Sequence, residues 1–438
     1  MTGTTSTDSA STGADSASTS ADSGESSADS GVAVPRFRRD RRVHGWLAVK
    51  GVSDAGDAAW TIALAWTAIQ LASPAVAGLV VAAGAIPRAA VLLLGGVAAD
   101  RFDTLRVLHT VTAIRIGVLA TAAVTTQAVG VSVPLLMIVA VAFGACDAVF
   151  EPASATLARQ LVRTSDLSAY TGASQSAARL GTMLGAASGG VLVAVGGFTA
   201  SVLLNLGTYL VVVAYLLAVL RVRFPSPRAE PAPVLCSIAA GFGYLRRDRR
   251  ARTLVLTLSG LNLAIGPALG IGVALRVQGS GWGAETLGVL QALVGLGALI
   301  GAATLMVWRP RREASLGFGL LLAQGLAIVA MAVPAPVAIG AACLIIGITA
   351  GAASALLSAV FIRSVDESYL GRLASMQRLG DDVLMPAAMA GFGALASGTS
   401  LAVAFTAYGG AMALLMLRAL IRVEVDPAPV NKRRLGVK

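Results

Sequence analysis

The chain has 438 residues, 56% of them hydrophobic and 13% charged, with a mean hydropathy of +0.76 and a formal net charge of +11. Soluble domains carry roughly 25% charged residues, so this composition excludes a disordered chain and fits an ordinary soluble enzyme poorly. The only cysteines, Cys146, Cys236 and Cys343, exclude a secreted disulfide scaffold and leave a helical membrane protein as the leading class.

Residues 1–34 are Ser, Thr, Ala, Asp and Gly almost throughout, with no Lys, Arg or aromatic residue. Such a tail cannot bury enough apolar area to offset its ordering entropy and is expected to be disordered. It lacks the basic start and apolar run of a signal peptide. Arg36, Arg38, Arg39, Arg41 and Arg42 follow, and they read as the cytoplasmic flank of a membrane helix rather than a twin-Arg export signal.

A bilayer core needs roughly 20 apolar residues of helix. Twelve such runs are expected, at 46–72, 76–99, 105–127, 132–158, 168–193, 198–220, 252–276, 284–308, 314–333, 336–360, 370–396 and 400–422. Setting aside Lys50, Arg88, Arg115, Arg179 and Arg378, the basic residues gather in the N-terminal cluster, the even-to-odd connectors and the C-terminal end. Arg276 is the exception. The positive-inside rule then places both termini and the central loop in the cytoplasm of a multi-pass protein of the cell membrane. The expected division is a disordered tail (1–34), a six-helix half (35–220), a central loop (221–251), a second six-helix half (252–422) and a C-terminal tail (423–438). The stretch from Ile238 to Leu245, ahead of Arg246, Arg247, Arg249 and Arg250, reads as an amphipathic helix on anionic lipid, in preference to a nucleic-acid contact.

An offset of 200 residues supports two halves. Ala153, Ser154, Ala155, Leu157, Arg163 and Asp166 recur as Ala353, Ser354, Ala355, Leu357, Arg363 and Asp366, and Arg179-Leu180-Gly181 recurs as Arg378-Leu379-Gly380. Duplicated halves of this type rock about a midplane site in transporters.

The connector Gly96-Val-Ala-Ala-Asp100-Arg101-Phe-Asp103-Thr-Leu105-Arg106 resembles the signature loop of the major facilitator superfamily, Gly-x-x-x-Asp-Arg-x-Gly-x-basic-basic. Asp103 stands where Gly is usual, and Leu105 replaces one base. The resemblance implies the major facilitator fold, all-α with twelve transmembrane helices in two pseudo-symmetric halves. It also implies a gating role for Gly96, Asp100, Arg101 and Arg106 at the cytoplasmic helix ends. Gly172, Gly181, Gly185, Gly189 and Gly190 resemble the antiporter motif of drug–proton exporters, with Ala186 in place of its Pro. The plain alternative is close helix packing by small residues. Gly56-Asp57 and the Pro152-bearing end of the fourth run resemble the subgroup that includes siderophore and macrolide exporters.

Ionisable residues inside spans are functional candidates. A buried carboxyl has its pKa raised by desolvation and lowered by a neighbouring Arg, the balance a proton carrier needs. Asp57, Asp147, Glu151, Asp381 and Asp382 are the candidates for proton coupling. Arg88, Arg115, Arg179 and Arg378 are their charge partners or contacts for an anionic substrate group. Lys50 and Asp54 read as solvated edge residues, and Trp60, Trp66 and Tyr209 as packing residues with a cavity as second reading. The alternative for each charge is a structural ion pair. His44 and His109 form no ligand or nucleophile pattern, so neither a metal, a cofactor nor an enzymatic activity is expected. The reading is a monomeric, proton-coupled exporter of a small amphipathic compound, such as a drug or siderophore, conferring multidrug resistance by efflux. A proton-coupled nutrient importer is the alternative.

Overall fold

The computed structural model describes residues 35, 37–85, 87, 103–224, 246, 262–308, 310, 312–364 and 384–425. Among these residues the chain is all-helical. In order come α1 (Arg41–Leu71), α2 (Pro74–Ala83), α3 (Thr104–Val129) and α4 (Val133–Leu161). The run Leu167–Ala218 is two helices meeting at Gly197, α5 (167–196) and α6 (198–218). There follow α7 (262–279), α8 (Ala284–Val307), α9 (Glu313–Ala330), α10 (Pro336–Ser364), α11 (Leu384–Gly398) and α12 (Leu401–Val425). Each falls on one of the twelve apolar runs. Counting α5–α6 as one run, seven are long and apolar enough to cross a membrane: α3, α4, α5–α6, α8, α9, α10 and α12. Valines at their margins, such as Val129, Val195, Val307 and Val337, are more than four-fifths exposed, as the side chains of a lipid-facing surface are.

Local chemistry sets the helix ends. Asp40 caps α1 by accepting from the Arg42 and Val43 amides at 3.1 and 3.3 Å. Asp103 caps α3 by accepting from the Arg106 amide at 3.0 Å, which gives the residue that replaces the usual Gly of the signature loop a role of its own. α2 and α4 begin with a Pro in their first turn, where no amide partner is lost. Gly197, at φ 65°, lets α5 turn back into α6 with no linker. Five residues of α7, Ala268–Gly272, form a π-helical bulge after Pro267, packed on Met389 and Phe392 of α11 and Phe405 of α12.

Helix pairings recur between the halves. Gly144 of α4 touches Gly84, just past α2, as Gly347 of α10 touches Gly297 of α8. Likewise α3 packs on α4 and α6, and α9 packs on α10 and α12. The two halves meet where α1 ends and α2 begins. There Gln278 donates to the Ile69 carbonyl at 3.0 Å, and the Ala75 amide donates to Ser397 Oγ at 3.0 Å. Nearby, the Ala284 carbonyl and Gly288 Cα stand 2.6 and 2.8 Å from where a Cβ on Gly190 would lie. One apolar core runs through this end, with buried residues from both halves such as Trp60, Ile69, Ala274 and Phe392. A second core, at the end where α1 begins, contains among the described residues only first-half side chains, including Trp46, Leu108, Leu157 and Leu216.

Two inter-half hydrogen bonds of about 1 kcal/mol each bias closure at the α1–α2 end. Replacing Gln278 and Ser397 together by Ala is therefore expected to raise the open population there by about thirtyfold. Labelling of a Thr61→Cys reporter by an impermeant maleimide added to that face, with native thiols removed, checks it. Unchanged labelling assigns closure to helix packing alone.

The opposite end of the first half is tied by polar contacts. Asp40, 3% exposed, pairs with Arg223 just past α6, and the Arg223 and Phe224 amides donate to the Gln160 carbonyl at 3.0 Å. Trp46 donates to Tyr170 at 3.2 Å and Tyr215 to the Arg42 carbonyl at 2.7 Å. Burial pushes the Asp40 carboxyl up, but Arg223 and the Val43 and Arg42 amides together outweigh it and hold it below its ordinary value. A depressed carboxyl contributes stability above its unfolded pKa of about 3.9, lost as pH falls through the folded value. Arg223→Met is thus expected to lower the melting temperature in detergent at pH 7, with a smaller deficit at pH 3.5. An equal deficit at both pH values overturns the assignment.

Candidate functional site

A cavity of about 280 Å³ lies within the first half. α1 places Lys50, Asp54 and Asp57 on one face by their i, i+4, i+7 spacing; α3 adds Arg115, α4 adds Asp147 and Glu151, and Thr182 of α5 completes the wall. Four carboxylates thus share the lining with two cations.

Arg115 anchors the arrangement. It is 2% exposed, forms an ion pair with Asp147, and lies over the rings of Phe150 at 4.7 Å, Tyr209 at 5.1 Å and Phe143 at 6.0 Å. The ring faces take the place of water around the guanidinium, and its Nε finds no acceptor among the described residues. Asp57 is held differently, by neutral donors from α6. Its Oδ1 accepts from the Tyr209 hydroxyl at 2.5 Å and from Asn205 Nδ2 at 3.2 Å. Thr208 donates to Asn205 Oδ1 at 3.1 Å, which turns the Asn205 amide nitrogen toward Asp57. Gly56 makes the approach possible, since a Cβ there would stand 2.5 Å from both Asn205 Oδ1 and Thr208 Oγ1.

Lys50 and Asp54 are not solvated edge residues. They pair at 3.1 Å with side chains about one-fifth exposed and line the cavity, because spacings of about one and two helical turns from Asp57 keep them on the face α1 turns inward. Glu151 borders the same space, is exposed, and has no basic partner among the described residues. Carboxyls in unlike surroundings within one cavity, two paired with cations, one held by neutral donors and one open, can exchange protons with water or with a bound cation.

Arg179 stands apart from this group. It lines a second cavity of about 380 Å³ between α5 and α8, with Gln175, Thr182, Met183, Gln291 and Val294. Thr182 borders both cavities. Gln291 donates to the Leu269 carbonyl of α7 at 2.6 Å. Arg106 is exposed at the start of α3. Arg88, Gly96, Asp100, Arg101, Arg378, Asp381 and Asp382, with Cys236 and most of the central loop, lie outside the described residues.

Four of the five antiporter-like glycines are packing positions. A Cβ on Gly181 would enter the Gly51 carbonyl, one on Gly185 would enter the Ala55 backbone, and one on Gly189 would lie 2.6 Å from Ala59 Cα. Gly190 meets α8, while Gly172 has nothing within 4 Å. Small residues at 51, 55 and 59 on α1 interlock with those at 181, 185 and 189 on α5, which brings the cavity walls together. Sequence reasoning missed Asn205, Thr208, Phe143 and Phe150. Asn205 carried a usable signal as a polar residue in an apolar run, whereas the ring placement around Arg115 depends on helix rotation and left none.

Residues 50–389 match the family described as the Major Facilitator Superfamily. The chain belongs to that superfamily. As a member of the Major Facilitator Superfamily it is a multi-span membrane transporter of small molecules. The fold is similar to that of the nucleoside transporter NupG, with a TM-score of 0.70 at 13% identity over 86% of this chain and 98% of that one. An alanine variant of NupG gives 0.69 at 13% identity over 86% and 99%. A bacterial homologue of the human lysosomal transporter Spinster, in an inward-facing and unoccupied conformation, gives 0.61 at 12% identity over 88% and 96%. No curated protein matches the sequence.

Proposed function

We propose that this superfamily member is a proton-coupled exporter of a small amphipathic organic compound at the cell membrane, with both termini in the cytoplasm. The observation that carries proton coupling is the acid-lined cavity, in which Asp57 is held by Tyr209 and Asn205 while Asp147 neutralises Arg115. Protonation of Asp57, with Glu151 at the cavity's open rim, gives the carrier a charge that changes as the cavity changes sides. Export, rather than import, is supported by the spacing of the α5 glycines. The charge asymmetry supports the sidedness: Arg276, its one exception, turns inward to donate to the Ala332 carbonyl beyond α9 at 2.8 Å, and lies 5.7 Å from the Phe405 ring centroid. On this topology the closed α1–α2 end faces outward and the cavity is reached from the cytoplasm. The halves are 35–220 and 252–422, joined by the 221–251 loop, and the protein works as a monomer.

Inverted membrane vesicles test the reading with a panel of cationic, anionic and zwitterionic fluorescent amphiphiles. Acidifying the vesicle interior is expected to drive at least one of them inward against its gradient, with collapse on adding a protonophore. Proton-driven loss from preloaded inverted vesicles, movement toward the cytoplasmic face, overturns export.

A further inference from the structure

We propose that the acid-lined cavity and the cleft between α5 and α8 are two compartments of one substrate site, shaped for a zwitterionic amphiphile with its amine end at Asp57 and Glu151 and its carboxylate end at Arg179. The inference rests on the transporter reading and names its substrate class.

The charges divide by compartment. In the first cavity both cations are engaged: Arg115 by Asp147 and three aromatic rings, Lys50 by Asp54. Asp57 takes its hydrogen bonds from neutral donors and shares the field of Arg115 with Asp147, Glu151 has no basic partner among the described residues, and four carboxylates face two cations across the lining. The uncompensated charge there is negative, and it attracts an ammonium group. In the second cavity Arg179 is the one charged residue among the described lining residues, and it forms no ion pair with any of them. A guanidinium beside an inter-half cleft, with no ion pair among the described residues, suits a carboxylate.

Continuity comes from α5. Thr182 borders both spaces and lies three residues from Arg179, about 4.5 Å along the helix. Between the charged ends, Met183 and Val294 offer apolar contact, and Met adapts to varied shapes. The carboxylate end would touch both halves, because the cleft is walled by α5 of one and α8 of the other. A ligand anchored at both ends therefore senses the relative position of the halves, while one lacking its carboxylate contacts the first half alone.

The test is equilibrium binding to the full-length, detergent-purified protein without any gradient, using 8-aminooctanoate, its methyl ester and its N-acetyl derivative. The zwitterion is expected to bind at least about tenfold tighter than either monopolar analogue, the worth of one charge-assisted contact. Arg179→Gln should reduce the zwitterion to the level of the ester and leave the ester unchanged, Arg179→Lys should retain most of the preference, and Asp57→Asn should weaken the ester and spare the N-acetyl compound. Equal binding of all three probes, no binding by any, or equal loss of ester and zwitterion in Arg179→Gln overturns the proposal. Because no proton gradient is involved, the result stands or falls separately from coupling and direction.

Discussion

Asp57→Asn abolishes uphill transport and weakens binding of an amine-bearing substrate, while downhill exchange persists at saturating substrate. The substitution keeps the shape of the side chain, and its amide oxygen can still accept from the Tyr209 hydroxyl and from Asn205 Nδ2, as Asp57 Oδ1 does at 2.5 and 3.2 Å. What disappears is the group that can gain and lose a proton. The variant should therefore reach normal membrane levels, exchange labelled for unlabelled substrate, and fail to accumulate it under an imposed proton gradient. Asp147→Asn differs in kind. Arg115 is 2% exposed, so removing its carboxylate leaves a buried guanidinium short of its counter-charge. Breaking a fully buried pair costs about 3–5 kcal/mol, and since the Asp147 side chain is 32% exposed, the cost here falls to about 2 kcal/mol once solvent screening is allowed for. That variant should lose melting temperature as well as uphill transport. Full accumulation by both variants makes these acids structural, and loss of exchange in Asp57→Asn moves Asp57 from coupling to folding.

Gly185→Val removes the protein from the membrane, whereas Gly172→Ala does nothing measurable. The contrast follows from what each Cβ would meet. At 185 it enters the carbonyl carbon, oxygen and Cα of Ala55, all backbone atoms of α1 that cannot rotate away, and at 172 it enters open space. Overpacking a tight contact costs about 1–3 kcal/mol or more, a large share of a total stability of about 5–15 kcal/mol. The strain falls on the helix pair that closes the cavity, with Lys50, Asp54 and Asp57 on α1 and Thr182 on α5, so any surviving Gly185→Val protein should also bind substrate poorly. Quantitative membrane blots and detergent melting curves read both outcomes. Equal behaviour of the two variants removes the distinction between packing and free glycines in α5, and a severe effect at Gly172 alone points to a role for the motif outside α1–α5 packing.

The interlocked stripes also bear on how the glycine spacing is read. Gly181, Gly185 and Gly189 face Gly51, Ala55 and Ala59, so close α1–α5 packing accounts for three of the five positions and the α8 contact of Gly190 for a fourth. Both readings place the same residues at the same wall. A helix pair packed this closely brings the Thr182 wall of the cavity up to the acidic face of α1, and it is also what a rocking half must keep rigid.

Much of the architecture was legible in the chain because apolarity is a local property. Each run of about 20 apolar residues announces a helix whatever surrounds it, and the twelve helical segments among the described residues fall on the twelve runs. Asp103 was visible only as a departure from a family pattern, and its role as the cap of α3 emerged from the backbone geometry.

The sequence by itself determined the class, the helical segments and which residues are charged inside them. Tertiary structure decided which of those charges meet. Arg115 and Arg179 look alike in the sequence, each a lone Arg within an apolar run, yet one is buried against Asp147 and three aromatic rings while the other forms no ion pair among the described residues and lines a cleft between the halves. Lys50 and Asp54 look like edge residues and line the cavity. The physical reason is that hydropathy reports the partition of a segment between water and lipid, one residue at a time. The partner of a charge depends on helix rotation and on how closely two backbones approach, and here Gly56 lets α1 come close enough to α6, far along the chain, for Tyr209 and Asn205 to reach Asp57.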